Sequence, residues 1–370
     1  MSDGDYSCGS GCFDTWKRVM FFVWGTVGDV VPAVALALRL EKEAKKVAIF
    51  CTPPSSELVC KYGVKCYPSR ENVREFAENV FGQVDPSERG VLGAYRSMVK
   101  KQAYISHPAF LELQKEDIAR GLEAAQEFEP DLVVVSGRMY TNFLAVAEKL
   151  RIPAVQYDLR STVPASELPP CAGVAATWAP WLLSAVLTWA GREPLAELSR
   201  RRRDETRAAL RLPLTMHSDG SPMPEPGRHS TPRVLALSPA LMPHPSDWSA
   251  DKYMSGYWFL PEDGTRWDID PEIADFVSKH RPVCVGFGSL TGNSDFRAKL
   301  SGLVFGALHA AGVRAVVLRG WAGLSASLLP RSTELELEVA RYAEANTVEA
   351  DFCPHEWLLP RCAAVVHHGG

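Results

Sequence analysis

From Arg18 onward, short runs of β-branched and aromatic residues alternate with longer amphipathic stretches, and the alternation restarts near residue 283. The strand candidates Val19–Trp24, Val47–Cys51, Leu132–Ser136 and Ala154–Tyr157 are mostly apolar and bounded by Gly, Pro or charge. That is how parallel strands buried on both faces read. Helix candidates Val30–Glu43, Ser55–Lys61, Pro108–Phe128 and Asn142–Leu150 lie between them. The order is βαβ, so the expected fold class is α/β with a doubly wound parallel sheet. In the second stretch, Val283–Gly288, Arg314–Leu318 and Ala364–His367 read as strands, Phe296–Ala311 and Glu356–Cys362 as helices. A second Rossmann-like sheet is expected there. Because Gly370 directly follows a strand, that domain is expected to be incomplete.

At about 100–200 residues per domain, 370 residues suit two domains. The expected division is a flexible Gly/Ser-rich leader over 1–17, a first domain over 18–238, a linker over 239–261 and a partial second domain over 262–370. Residues 192–211, with Arg200 to Arg203, read as a helix with a solvated charged face, and Met216–Pro232 as an exposed loop. The 46% hydrophobic content excludes a disordered chain, and a net charge of −4 without long blocks excludes a nucleic-acid partner. Nine scattered cysteines without a C-x-x-C pair read as reduced thiols rather than a disulfide framework or zinc site. The first apolar run is too short for a secretory signal, which predicts a cytoplasmic protein. The uncharged run Cys171–Gly191 contains Trp178 and Trp181 but is interrupted by Pro180. It reads as an apolar pocket wall or an interfacial helix rather than a span, giving a capacity for peripheral membrane contact.

Three loops carry candidate chemistry. Gly25-Thr26-Val27-Gly28-Asp29 follows the first strand, where ligands bind in open α/β sheets. It is not G-x-G-x-x-G, and no acid ends the second strand, which disfavours a nicotinamide-dependent oxidoreductase. Asp29 fits two roles, an N-cap for the following helix or a general base at the mouth of a cleft. Gly286-Phe287-Gly288-Ser289 holds the matching place in the second domain, and its N–H groups and the Ser289 hydroxyl suit phosphate oxygens, or form a plain tight turn. The third is Cys353–Pro360 followed by His367-His368-Gly369-Gly370. The two histidines can offer an imidazole to a phosphate; as adjacent strand residues they point to opposite faces, and no metal site is expected. Trp357 is either core or a platform for a base.

Together these stretches resemble the two-domain, UDP-sugar-dependent glycosyltransferases, most closely the sterol 3-beta-glucosyltransferase branch. Gly25–Pro32, Ser238–Leu260, Val285–Leu290, Arg319–Leu324 and Cys353–Gly370 occur in that family's order. The resemblance implies a GT-B fold, with the acceptor bound mainly by the first domain and the UDP-sugar mainly by the second. It implies Asp29 as general base for inverting transfer of a hexose, glucose first, to the hydroxyl of a sterol or other lipophilic acceptor. Ser289 and His368 would contact the diphosphate and the region of His355 and Trp357 the uridine. Ser161–Pro170 and 171–191 would form the lipophilic acceptor wall. The full expected substrate-binding set is Gly25, Thr26, Gly28, Trp178, Trp181, Ser289, Trp321, His355, Trp357, His368 and Gly369. No cofactor and no metal are expected, the UDP-sugar being a substrate. Family members continue beyond the double glycine with further donor-binding residues; the alternative expectation is therefore an incompetent, truncated glycosyltransferase that binds lipid.

Overall fold

The computed structural model describes residues 16–80, 104, 107–136, 142–159, 203–214, 231–246, 248–260 and 269–369. The expectations for residues 1–15, for 161–191 with Trp178 and Trp181, for 192–202 and for most of 216–232 lie outside the described residues. The chain divides into two compact units, Met1–Asn72 with Ser106–Leu260, and Val73–Ile105 with Pro261–Gly370.

The first unit is built on a seven-stranded, wholly parallel sheet. Its strands are β1 (Arg18–Val23), β2 (Lys46–Cys51), β3 (Lys65–Pro68), β4 (Leu132–Ser136), β5 (Ala154–Asp158), β6 (Arg233–Leu235) and β7 (Lys252–Met254). The spatial order is β3-β2-β1-β4-β5-β6-β7. β1 lies inside the sheet between β2 and β4, and its apolar run is covered on both faces, as an interior parallel strand requires. Phe21 stands level with Ile49 on one side and Val134 on the other. One face packs Val19, Phe21 and Val23 against Val30, Val34 and Ala37 of the helix Val27–Lys42. On the other face Phe22 stacks on Phe143 with ring centroids 4.6 Å apart, and Phe50 closes the cluster at 5.3 Å from Phe143.

The helix Pro108–Phe128 spans the predicted residues, started by Pro108 and stopped by Glu129 in the left-handed region at φ 50°. The first helix differs from expectation. It begins at Val27, one turn early, with Thr26 as N-cap, so Asp29 stands third in the helix and is not the N-cap. The expected linker over 239–261 also differs, since it contributes β7 and stays with the first unit to Leu260. Strands of three residues, such as β6 and β7, are too short to show a hydrophobic period.

The second unit holds a four-stranded parallel sheet of β8 (Val283–Gly286), β9 (Ala315–Leu318), β10 (Thr347–Ala350) and β11 (Ala364–Val366), in the order β10-β9-β8-β11. Val285, Val317, Phe305 and Leu324 fill one face; Ile273, Val277, Val316 and Leu358 fill the other. The helix Val73–Val80 belongs to this unit, where Glu78 pairs with Arg297 at 3.5 Å. The expected helix Glu356–Cys362 is instead an α-helical turn, His355–Leu358, followed by a 3-10 turn, Leu359–Arg361. Pro360 has no N–H with which to continue the α-helical ladder.

The six described cysteines are free thiols, as the scattered pattern predicts. Burial pushes the Cys284 thiol up to about 12 and that of Cys353 up to about 11.

Candidate functional site

In the first unit the site grows from the carboxyl end of β1. Gly25 follows it at φ 137°, a conformation that L side chains rarely adopt, and a Cβ there would collide with the Asp29 carboxylate. The Gly25 carbonyl accepts from the Thr52 hydroxyl at 3.1 Å and the Ser55 hydroxyl at 3.3 Å, both side chains buried beyond the end of β2. The chain then enters its helix at Thr26. The Thr26 N–H donates to Asp29 Oδ2 at 2.9 Å and the Thr26 hydroxyl reaches the same oxygen at 3.4 Å. A carboxylate three residues into a helix satisfies one of its orphan N–H groups and opposes the positive end of the dipole. Asp29 and Thr26 are half-buried, Gly25 is buried and Gly28 exposed. The structure thus gathers Gly25, Thr26 and Asp29 into one turn.

Behind this turn lies Tyr157, wholly buried at the carboxyl end of β5. Burial, reinforced by the charge of Asp29, holds its phenol well above the ordinary range. Its hydroxyl is a neutral group at any physiological pH, with no hydrogen-bond partner among the described residues.

In the second unit three strand ends meet. Gly288 after β8 takes φ 54°, and its carbonyl accepts from the Trp321 N–H at 2.9 Å. Gly320, at φ 55°, lies so close to that carbonyl that a Cβ would collide with it. On Gly288 a Cβ would stand 3.6 Å from Cε1 of His368, which places the imidazole beside the Gly288–Ser289 loop. Arg319 ties the Gly320–Trp321 loop to β10, its Nε donating to Glu349 at 3.0 Å and its Nη1 to Asp351 at 3.1 Å. Glu349 also accepts from the Ala326 N–H at 2.6 Å. Ser289 and Trp321 are half-buried, His368 and Gly369 exposed. His367 is occupied locally, its Nδ1 accepting from the Gly369 N–H at 3.1 Å.

His355 and Trp357 lie on the turn after β10. His355 is exposed; the half-buried Trp357 ring carries the Arg361 guanidinium 4.8 Å from its centroid and packs partly into the core. The concavity of about 330 Å³ lined by His280, Arg281, Val313, Arg314 and Ala363 lies at the amino ends of β8, β9 and β11, opposite these loops.

Thr52, Ser55, Glu349 and the buried Thr291, whose hydroxyl has no partner among the described residues, escaped sequence reasoning. An isolated hydroxyl or carboxylate within or after a strand carries no pattern in sequence. Among the described residues, no group of three His, Cys, Asp or Glu side chains is arranged to hold a metal, and no helix is long and apolar enough to cross a membrane.

The glycosyltransferase family 28 N-terminal domain matches residues 19–156. Sterol 3-beta-glucosyltransferase UGT80B1 of Arabidopsis thaliana is 27% identical over 359 residues, covering 95% of this chain and 53% of the relative. Sterol 3-beta-glucosyltransferase of Neurospora crassa is 31% identical over 151 residues, covering 38% of this chain and 9% of the relative. The chain spans about half the length of the plant relatives it matches. Among solved structures, the glycosyltransferase SnogD from Streptomyces nogalater aligns with a TM-score of 0.52 at 20% identity, covering 96% of this chain and 77% of that one. The Streptomyces glycosyltransferase SsfS6, complexed with thymidine diphosphate, aligns at 0.51 and 17% identity, with the same coverage. The chain therefore has a GT-B fold, matches the glycosyltransferase family 28 N-terminal domain over residues 19–156, and is similar to sterol 3-beta-glucosyltransferases.

Proposed function

We propose that the protein transfers a hexose, glucose first, from a UDP-sugar to the hydroxyl of a sterol or similar lipophilic acceptor, inverting the anomeric centre with Asp29 as general base. The observation that carries this reading is the Gly25–Asp29 turn, which fixes a carboxylate at the carboxyl end of β1, within the stretch that matches the family 28 domain.

A carboxylate offers about four acceptor sites. Asp29 can therefore hold the Thr26 N–H and also take a hydroxyl proton. As the acceptor oxygen attacks the anomeric carbon, its proton moves to Asp29 and the sugar–phosphate bond breaks on the opposite face. The leaving UDP gathers charge on its diphosphate. The Gly288–Ser289 loop, the Trp321 loop and the His368 imidazole supply the donors proposed to stabilise it, and the turn with His355 and Trp357 is proposed for the uridine. A solved glycosyltransferase of similar fold, SsfS6, is complexed with thymidine diphosphate, which supports a nucleoside-diphosphate donor. The donor is a substrate, so the reading needs no resident cofactor.

The acceptor wall is assigned to residues 161–191, with Trp178 and Trp181. Burying a steroid skeleton there would contribute about 25 cal/mol per Å². The same segment would meet a membrane surface peripherally from the cytoplasm, where a sterol is available. The test is transfer by the intact protein from radiolabelled UDP-glucose to cholesterol, with the product's anomeric configuration read by NMR. A β-glucoside supports the proposal; no transfer to any sterol, with turnover of another lipophilic alcohol, moves the acceptor class.

A further inference from the structure

A second carboxylate bears on the same turn and has no part in the chemistry above. Glu71 is 2% exposed, and both of its carboxylate oxygens are engaged. Oε1 accepts from the indole N–H of Trp24 at 2.9 Å, and Oε2 accepts from the Gln114 amide at 3.3 Å. Its backbone is held as firmly, the N–H donating to Asp117 Oδ2 at 3.2 Å and the carbonyl accepting from the Ser69 hydroxyl at 3.0 Å. A buried polar group is costly unless its hydrogen bonds are met, and here each carboxylate oxygen has a donor. What the carboxylate gains is a fixed Trp24.

Trp24 is the residue directly before Gly25. Its N–H reaches the Ser136 hydroxyl at 3.4 Å, while its indole is held by Glu71. The next peptide is held from the other side, where Thr52 and Ser55 donate to the Gly25 carbonyl. The turn that presents Asp29 is thus supported at Trp24 by β4 and, through Glu71, by the helix Pro108–Phe128.

We propose that Glu71 is a positioning residue for the Gly25–Asp29 turn, its carboxylate clamping the Trp24 indole and so fixing the peptide from which the turn departs. Its consequence for transfer rests on Asp29 being the base; its hold on the turn does not.

Glu71→Ala, Glu71→Gln and Trp24→Phe in the intact protein test this in two ways. Amide hydrogen exchange at Thr26, whose N–H is bonded to Asp29, reads the turn without any substrate. It is expected to quicken tenfold or more in Glu71→Ala and Trp24→Phe, while amides of β1 and β4 keep their rates. Glu71→Gln, whose side-chain oxygen can still accept from the indole, should stay within threefold of wild type. Unchanged Thr26 exchange, or acceleration spread evenly over β1 and β4, overturns the proposal.

Transfer from UDP-glucose to cholesterol gives the second reading. Glu71→Ala should lower kcat at least tenfold with the KM for UDP-glucose within twofold. In an Asp29→Asn background the same change should lower the residual rate less than twofold, because a positioning residue acts through the group it positions. Equal losses in both backgrounds contradict the role. Full activity of Asp29→Asn would instead sink the base assignment and leave the exchange result standing.

Discussion

The backbone N–H of Thr26 donates to Oδ2 of Asp29 at 2.9 Å, so the proposed base also closes the first turn of its own helix. Structure and chemistry draw on one side chain. Asp29→Asn keeps an oxygen for the N–H, while Asp29→Ala removes it. The alanine variant is expected to lose about 1 kcal/mol of stability and the asparagine variant a few tenths. Urea unfolding of the two variants checks this, and equal midpoints would show that the bond adds nothing.

The Gly25 carbonyl takes both of its side-chain bonds from Thr52 and Ser55. Removing either hydroxyl as alanine should cost about 1 kcal/mol, because the other still serves the oxygen. The double variant should cost more than the sum, since a buried carbonyl left unpaired loses about 1–3 kcal/mol. A double-mutant cycle by urea unfolding measures the excess.

Asp117 gives a pH signature of opposite sign to the usual carboxylate. Burial raises its carboxyl above the ordinary value of 3.8, opposed in part by the N–H groups of Arg70 and Glu71. Above pH 3.8 the native state therefore holds this proton longer than the unfolded chain does. The native state binds more protons across that window, so this group's stability contribution falls as pH rises through it. Relative to Asp117→Asn, wild type should lose stability as pH rises above 3.8; a pH-independent difference would contradict the assignment.

In the second unit, Gly320 meets the Gly288 carbonyl too closely for any side chain and holds φ 55°. Gly320→Ala must push the Trp321 loop off Gly288, the turn proposed to receive the diphosphate. Calorimetry with UDP should show at least tenfold weaker binding, with acceptor binding unchanged. Wild-type UDP affinity in this variant would remove the loop from the donor site.

How much of this could be read from sequence varies with the kind of signal. β1, β2, β4, β5 and the helix Pro108–Phe128 announce themselves because long apolar runs and amphipathic periods are statistical patterns over many residues, whereas the four-residue β3, running from Lys65 to Pro68, shows no such run and is not among the expected strands. β6 and β7 contribute three residues each to the sheet, and a Pro-rich surrounding hides β7 inside an apparent linker. The Gly25–Asp29 loop was visible as a glycine-rich strand end, but the N-cap fell on Thr26 rather than Asp29, and only the geometry shows that the two residues form a capping box. The supports of that turn were invisible. Thr52, Ser55 and Glu71 reach it across 27, 30 and 47 residues of sequence, and nothing local marks a residue whose partner is tertiary.

The most direct test of the account is the rate and stereochemistry of glucose transfer to cholesterol by the intact protein, wild type against Asp29→Asn, with UDP affinity measured in parallel. The account predicts a β-glucoside from wild type, a fall in kcat of at least about a hundredfold in the variant, as expected on losing a general base, and UDP affinity within twofold. Equal rates, or an α-glucoside from wild type, would contradict it.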